Sequence, residues 1–281
     1  MSNPLARYSA LELLRTSLRV IALAALLACG DQSVTGTSRL NADDEGPRNS
    51  LSYPSFAAGQ LTQRGQALVT GGALVITSGS GNNSAAWHPV KQRMTPRWET
   101  NFTFKIIPAT ACPNTNGIAE GFAFVIQNQA SNALGTFTPG ELGFNGFTKA
   151  LAVEFDIFNS GASFQDANGN HIAVETNGAG ALSTTVAPLI SAQPPFSLQD
   201  GNTHSVRIVY ARPAMDLYLD GSATPLFTVN VDLTSINGSS ILDANSTAWV
   251  GFTGSTRTSE CARVDAAARH DAGHPARSGP A

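Results

Sequence analysis

Between Leu51 and about Thr256 apolar residues recur at every second position, and no long stretch carries a helical period. Asn101-Phe102-Thr103-Phe104-Lys105-Ile106 alternates polar and apolar. So do Val153-Glu154-Phe155-Asp156-Ile157 and Ser205-Val206-Arg207-Ile208-Val209-Tyr210. Asp216-Leu217-Tyr218-Leu219-Asp220 and Phe227-Thr228-Val229-Asn230-Val231 repeat the pattern. Clusters of Gly, Asn, Pro and Ser separate these runs at hairpin-like intervals. Many short alternating strands with no helices between them predict an all-β domain, antiparallel sheets packed as a sandwich or closed as a barrel. No internal repeat is present.

The first residues have a different pattern. Arg7, Arg15 and Arg19 precede an apolar run at 20–28, about half of the roughly 20 residues a membrane-spanning helix needs. The run ends Leu26-Leu27-Ala28-Cys29-Gly30, which resembles a bacterial lipobox. The resemblance implies a signal peptide over 1–28, cleavage before Cys29, and acyl chains on Cys29 that anchor an exported lipoprotein in the bacterial cell envelope. The alternative is an ordinary secretory signal with an incidental cysteine. Residues 29–50 are almost free of apolar side chains and read as a flexible tether.

Charge refines this division. The 281 residues carry a formal charge of −3. Residues 1–28 hold three Arg and one Glu, and 257–281 hold four Arg against Glu260, Asp265 and Asp271. The stretch between them therefore has 10 basic and 16 acidic groups. Such an acidic body excludes a nucleic-acid binder that works by electrostatics. Three cysteines, with no Cys-x-x-Cys pair, give neither a disulfide framework nor a zinc site. Cys112 and Cys261 read as unpaired thiols, although an oxidising compartment would allow them to pair.

The residues with chemical potential cluster at 154–171. Period two puts Glu154 and Asp156 on one strand face while Val153, Phe155 and Ile157 point into the core. Two adjacent carboxylates repel each other unless a cation lies between them. The polar loop that follows carries Asp166, and His171 opens the next strand. One imidazole among oxygen donors suits calcium, and admits manganese or another transition metal. The plainer reading is a polar strand face ending in a solvated loop.

Val153-Glu154-Phe155-Asp156, then Asp166, then His171-Ile172-Ala173-Val174, resembles the metal-binding segment of the legume-type (L-type) lectins. Ala119-Glu120-Gly121-Phe122-Ala123-Phe124-Val125-Ile126, Gly140-Glu141-Leu142-Gly143-Phe144, Gly72-Ala73-Leu74-Val75-Ile76-Thr77 and Trp249-Val250-Gly251-Phe252-Thr253 match in order. The resemblance covers about 52–256 and is to the bacterial members. It implies a concanavalin-like jelly-roll sandwich and glycans or glycoconjugates as partners. It also implies Ca2+ and Mn2+ (or another transition metal) as cofactors. Membrane contact would be through the lipid anchor only, and a homo-oligomer is a possible assembly. Carried over, Glu154, Asp156, Asp166 and His171 are transition-metal ligands. Asp156 and Asp166 are shared with calcium, which also takes the carbonyl of Phe158. Sugar contacts fall to Glu120, the backbone N–H of Gly140, and Asn159 or Ser160, with Phe158 and Phe164 as stacking rings. Two departures stand out: Glu120 replaces the usual Asp, and Ser160 occupies the usual position of the calcium-bound Asn.

A glycoside hydrolase is the nearest enzyme reading. The laminarinase-type glucanases of similar fold carry Glu-x-Asp-x-(x)-Glu, but Asn159 and Ser160 stand where the last carboxylate is needed, so no catalytic residue is assigned. A structural or adhesion sandwich with a degenerate sugar site is the other alternative. His88 and His204 read as surface histidines. After Thr256 the alternation breaks. The final core strand of the family is therefore expected to be missing, and 257–281 reads as a disordered or out-of-frame tail.

Overall fold

An alternating segment gains most as a strand, because extension gives it one apolar face to bury. The structure, a computed structural model, describes residues 53, 55–79, 81, 83–107, 120–257 and 263–268. All lie in one unit, Asn49–Ala281. The stretches expected to be signal peptide and tether, together with Cys29, Cys112, Cys261 and 269–281, lie outside the described residues.

The strands are β1 (Thr62–Arg64), β2 (Leu68–Thr70), β3 (Ala73–Thr77), β4 (Asn83–Trp87) and β5 (Gln92–Arg93). Then come β6 (Arg97–Ile107), β7 (Gly121–Gln127), β8 (Ala150–Asp156), β9 (His171–Thr176) and β10 (Ile190–Ala192). The chain continues with β11 (Thr203–Ala211), β12 (Ala214–Leu219), β13 (Phe227–Asn230), β14 (Thr247–Ser255) and β15 (Arg263–Ala268). The first sheet runs β1-β4-β14-β7-β8-β9-β10, with β5 paired to β14. The second runs β13-β12-β11-β6-β15-β3-β2. The ladders are antiparallel, so the fold is the β-sandwich that the alternation and the resemblance lead one to expect.

Between the sheets lies a core rich in phenylalanine. Phe122 of β7 and Phe155 of β8 stack with centroids 4.6 Å apart. Phe102 of β6 meets Phe252 of β14 edge-on at 5.1 Å. Such offset and edge-to-face pairs suit the ring quadrupole and add to the burial of apolar area.

The first sheet is buried on its other face too. Ala123, Val125, Ala150 and Ala152 pack there beneath Leu142, Phe144, Phe147 and Leu182, which come from the loops after β7 and β9. Every residue of β8 is consequently buried, Glu154 and Asp156 included. Those carboxylates do not lie on a solvated strand face.

Two expectations need correction. The second sheet does not lack its late strand: β15 pairs with β6 on one side and β3 on the other, and Val264 is fully buried. A ladder needs backbone partners rather than alternation, and Val264 is the one bulky apolar residue in Arg263–Ala268, so the pattern hid it. Nor is His204 at the surface. It is 7% exposed, with Nδ1 2.8 Å from Asp220 and Nε2 3.1 Å from Asp200. Its ring stacks on Phe196 at 3.7 Å. His88 is half-buried and bonded to Gln92.

Candidate functional site

The site is built at one end of β7, β8 and β9. In the β8–β9 ladder Asp156 sits opposite His171, and Glu154 opposite Ala173. The β7–β8 ladder sets Gly121 against Asp156, so that Glu120, the residue before β7, enters at the same end. Only glycine fits at 121: φ is +134°, and a Cβ would lie 2.1 Å from the Phe155 carbonyl oxygen. The loop from β8 to β9 then folds back. Asp166 accepts the Ser160 N–H at 2.5 Å, and Asp156 accepts the Phe158 N–H at 2.7 Å.

Ligand atoms of Asp156, Asp166 and His171 lie within 4.8 Å of one another. Glu154 joins through His171, its Oε1 3.2 Å from Nε2. The other imidazole nitrogen, Nδ1, is 2.7 Å from the Asn168 carbonyl, which can only accept. Nδ1 therefore carries a proton, and between Nε2 and Glu154 there must be either a second proton or a cation. Glu154 Oε2 is buried with no hydrogen-bond partner. A buried carboxylate oxygen without a donor is costly, and a cation satisfies it.

The electrostatics agree. Burial pushes Asp156 well above the ordinary carboxylate range, and Glu154 and Asp166 push it further. Asp166 is raised to about 6, chiefly by burial. Burial lowers His171, but the Glu154 carboxylate outweighs it and the net shift is upward. Two acidic groups that resist ionisation, with the Glu154 carboxylate beside one imidazole, form a site short of positive charge.

The expected sugar-contact residues converge beside this cluster. A Cβ on Gly140 would fall 2.8 Å from Ser160 Oγ and 3.1 Å from the Phe164 ring. Glu141 anchors the Gly140 loop by accepting Ser183 Oγ at 2.7 Å and the Thr184 N–H at 2.9 Å. Ser255, at the end of β14, donates to the Pro139 carbonyl. Ser160 Oγ donates to Glu120 Oε2 at 3.1 Å. Asn159 is exposed and instead accepts the Gly161 N–H at 2.9 Å. Of the two alternatives, Ser160 is the residue brought to Glu120.

Sequence reasoning assigned no role here to Arg257 or Glu175. Arg257 Nε donates to Glu120 Oε1, and its guanidinium lies 4.1 Å from the centroid of the Phe158 ring. Its one sequence signal is its place two residues past the end of β14. Glu175 shares with His171 the face of β9 turned away from the second sheet, two alternations along. Burial, reinforced by Glu154 and Glu141, raises it to about 9.

The model of the Legume lectin domain family matches residues 48–266. The chain belongs to this family. As a legume lectin domain it is 27% identical over 239 residues to the Arabidopsis thaliana protein described as probable L-type lectin-domain containing receptor kinase S.7. That match takes in 74% of this chain but 32% of the kinase, so the chain spans about a third of that relative's length. Among solved structures, peanut lectin is similar at 17% identity and TM-score 0.58, over 78% of this chain and 94% of the lectin. Lectin I of Ulex europaeus, solved with the methyl glycoside of α-L-fucose, is similar at 20% identity and TM-score 0.56, over 77% and 93%. At these identities the structural matches speak for the fold.

Proposed function

We propose that this legume lectin domain binds glycans through a metal-supported site and is displayed on the bacterial cell envelope by a lipid on Cys29. The observation that carries the reading is the convergence of Asp156, Asp166 and His171 within 4.8 Å, beside Glu120, Gly140 and Ser160. The donor set fits calcium and a transition ion such as manganese: hard carboxylate oxygens, one imidazole, and a buried oxygen without a partner. Glu154, Asp156, Asp166 and His171 would hold the transition ion. Asp156, Asp166 and the Phe158 carbonyl would hold calcium. Bound there, the ions would neutralise the buried carboxylates and fix the 157–170 loop.

The protein's own residues do the binding. The Gly140 N–H donates to a sugar hydroxyl, Ser160 Oγ, whose proton goes to Glu120, accepts through its remaining lone pair, and Phe164 offers a ring face to the C–H surface of a pyranose. The chemistry argues against hydrolysis. Retaining cleavage needs two carboxyls about 5–5.5 Å apart across the bond, and the positions after Asp156 that would supply the acid are Asn159 and Ser160. The envelope location rests on the lipobox-like sequence before Gly30.

Glycan-array screening of the protein with calcium and manganese, repeated after EDTA, tests the reading. Chelator-sensitive binding with stoichiometric metal by elemental analysis supports it. Release of reducing ends from a bound β-glucan overturns it in favour of a hydrolase. Absence of both metal and binding leaves a structural sandwich.

A further inference from the structure

The loop between β10 and β11, residues 193–202, is closed by two carboxylates on one imidazole. His204, the second residue of β11, has Nδ1 2.8 Å from Asp220 Oδ2 and Nε2 3.1 Å from Asp200 Oδ1. An ionised carboxylate only accepts, so both contacts are hydrogen bonds only while both ring nitrogens carry protons. Phe196 lies flat on the ring, the planes 3° apart, and Phe104 of β6 tilts against it at 5.6 Å. Among the described residues, Asp200 and Asp220 are the charged groups that face the ring. Lys105 of β6 pairs with Thr203, and Asp265 of β15 pairs with Lys105, so alternation turns both to the opposite face of the sheet.

The same loop holds the turn that carries His171. Asn170 binds it through both ends of its amide. Nδ2 donates to the Phe196 carbonyl at 2.9 Å, and Oδ1 accepts the Leu198 N–H at 2.8 Å. The Asn170 N–H goes to Asn168 Oδ1 at 2.8 Å, and the Asn168 carbonyl is the group 2.7 Å from His171 Nδ1. One short loop is thus tied to His204 through Phe196 and Asp200, and to the support of a metal-site imidazole through Phe196 and Leu198.

Loss of one proton from His204 leaves a ring lone pair facing a carboxylate. The shorter contact, to Asp220, keeps the remaining proton, and Asp200 is released. Asp200 still accepts the Asn202 N–H at 2.8 Å and Asn202 Nδ2 at 3.0 Å, so it is not stranded. Burial works against the charged ring, but Asp220 and Asp200 outweigh it, and the latch stays shut to above pH 6.5. We propose that His204 is a pH-sensitive latch: as an imidazolium it fastens the 193–202 loop and, through Asn170, the turn beneath His171, so that the metal site holds its cations more weakly once the imidazole loses a proton. This rests on the metal-supported reading above. The sign is distinctive. Carboxylate and imidazole ligands gain cation affinity as pH rises and their protons leave, whereas the latch acts in the opposite direction.

The test titrates the full chain with calcium alone and with manganese alone, under argon, from about pH 6 to about pH 8.5, the range that brackets an imidazole with raised affinity for its proton. Wild-type affinity is expected to fall about fivefold on the alkaline side, the low end of ordinary coupling between sites. Glutamine bonds one carboxylate at any pH, so His204→Gln should lack this alkaline fall and sit near the weak level throughout. Asn170→Ala cuts the link but leaves the latch. Its metal affinity should also lack the fall, while its stability in urea melts still declines as pH rises through the His204 titration. Affinity that stays flat or rises with pH in the wild type overturns the inference and leaves the lectin reading standing. So does an alkaline fall that survives in His204→Gln, which decides the matter alone if Asn170→Ala does not fold. Binding of neither ion at any pH sinks the metal-supported reading itself, and the latch with it.

Discussion

Replacing Asp166 with Asn should reverse sign depending on metal. In the chelated protein Asp166 sits at about 6 against an ordinary 3.8, chiefly through burial, with Glu154 and Glu120 adding repulsion. A folded value above the unfolded one means that the folded state holds the proton more tightly. Stability linked to that proton is full below 3.8 and is lost as pH rises through about 6. At neutral pH the ionised group therefore opposes folding. The gap between the two values is worth at most ~3 kcal/mol, and solvent screening of a half-buried loop reduces this to roughly 1–2 kcal/mol. Asn keeps an oxygen for the Ser160 N–H and removes the charge. For a domain of this size each kcal/mol moves the melting midpoint by roughly 2–4 °C. D166N should therefore melt about 2–8 °C above wild type in EDTA near neutral pH. Calcium and manganese should reverse the order. Ligand at a hundredfold over its dissociation constant adds about 2.7 kcal/mol to a protein that binds it, and D166N would lack the carboxylate proposed to serve both ions. Differential scanning calorimetry with and without metal reads both arms. A variant that melts below wild type in EDTA, or two proteins that rise equally on adding metal, would show that Asp166 is neither a buried charge that opposes folding nor a metal ligand.

Gly140→Ala drives a methyl into Ser160 Oγ and the Phe164 ring, at 2.8 and 3.1 Å. Glycan binding should weaken by about tenfold or more while stability changes by about 1 kcal/mol, read by titration and urea melts. His204 is lowered by burial, but Asp220 and Asp200 outweigh this and its net value lies above 6.5. Its stabilisation should be complete below 6.5 and lost as pH rises through the raised folded value, a slope that His204→Gln should flatten in urea melts across that range. Val264 is fully buried between β6 and β3, so Val264→Asp should cost more than ~3 kcal/mol by denaturant midpoint. An unchanged midpoint would show that β15 is not part of the sheet.

The sandwich is legible in the sequence because alternation records one buried face, and β6, β11 and β12 obey it residue by residue. The spacing Glu154, Asp156, Asp166, His171 carries the acidic cluster, since the ladder register fixes which side chains share a face. Three features lie outside that signal. The second core over β7 and β8 replaces alternation with continuous burial; Ala123, Val125, Ala150 and Ala152 were its traces. β15 carries too few bulky residues to show a period. Arg257 reaches Glu120 across 137 positions, a contact that only the tertiary fold creates.

In the proposed function metal and glycan share one site. The direct measurement is glycan affinity of the full chain, titrated with calcium and manganese from a chelated start and compared with Asp156→Asn. The expected result is no binding in the chelated protein, affinity that appears in step with metal occupancy, and none in the variant. Glycan binding at full strength without metal, undiminished in Asp156→Asn, would contradict it.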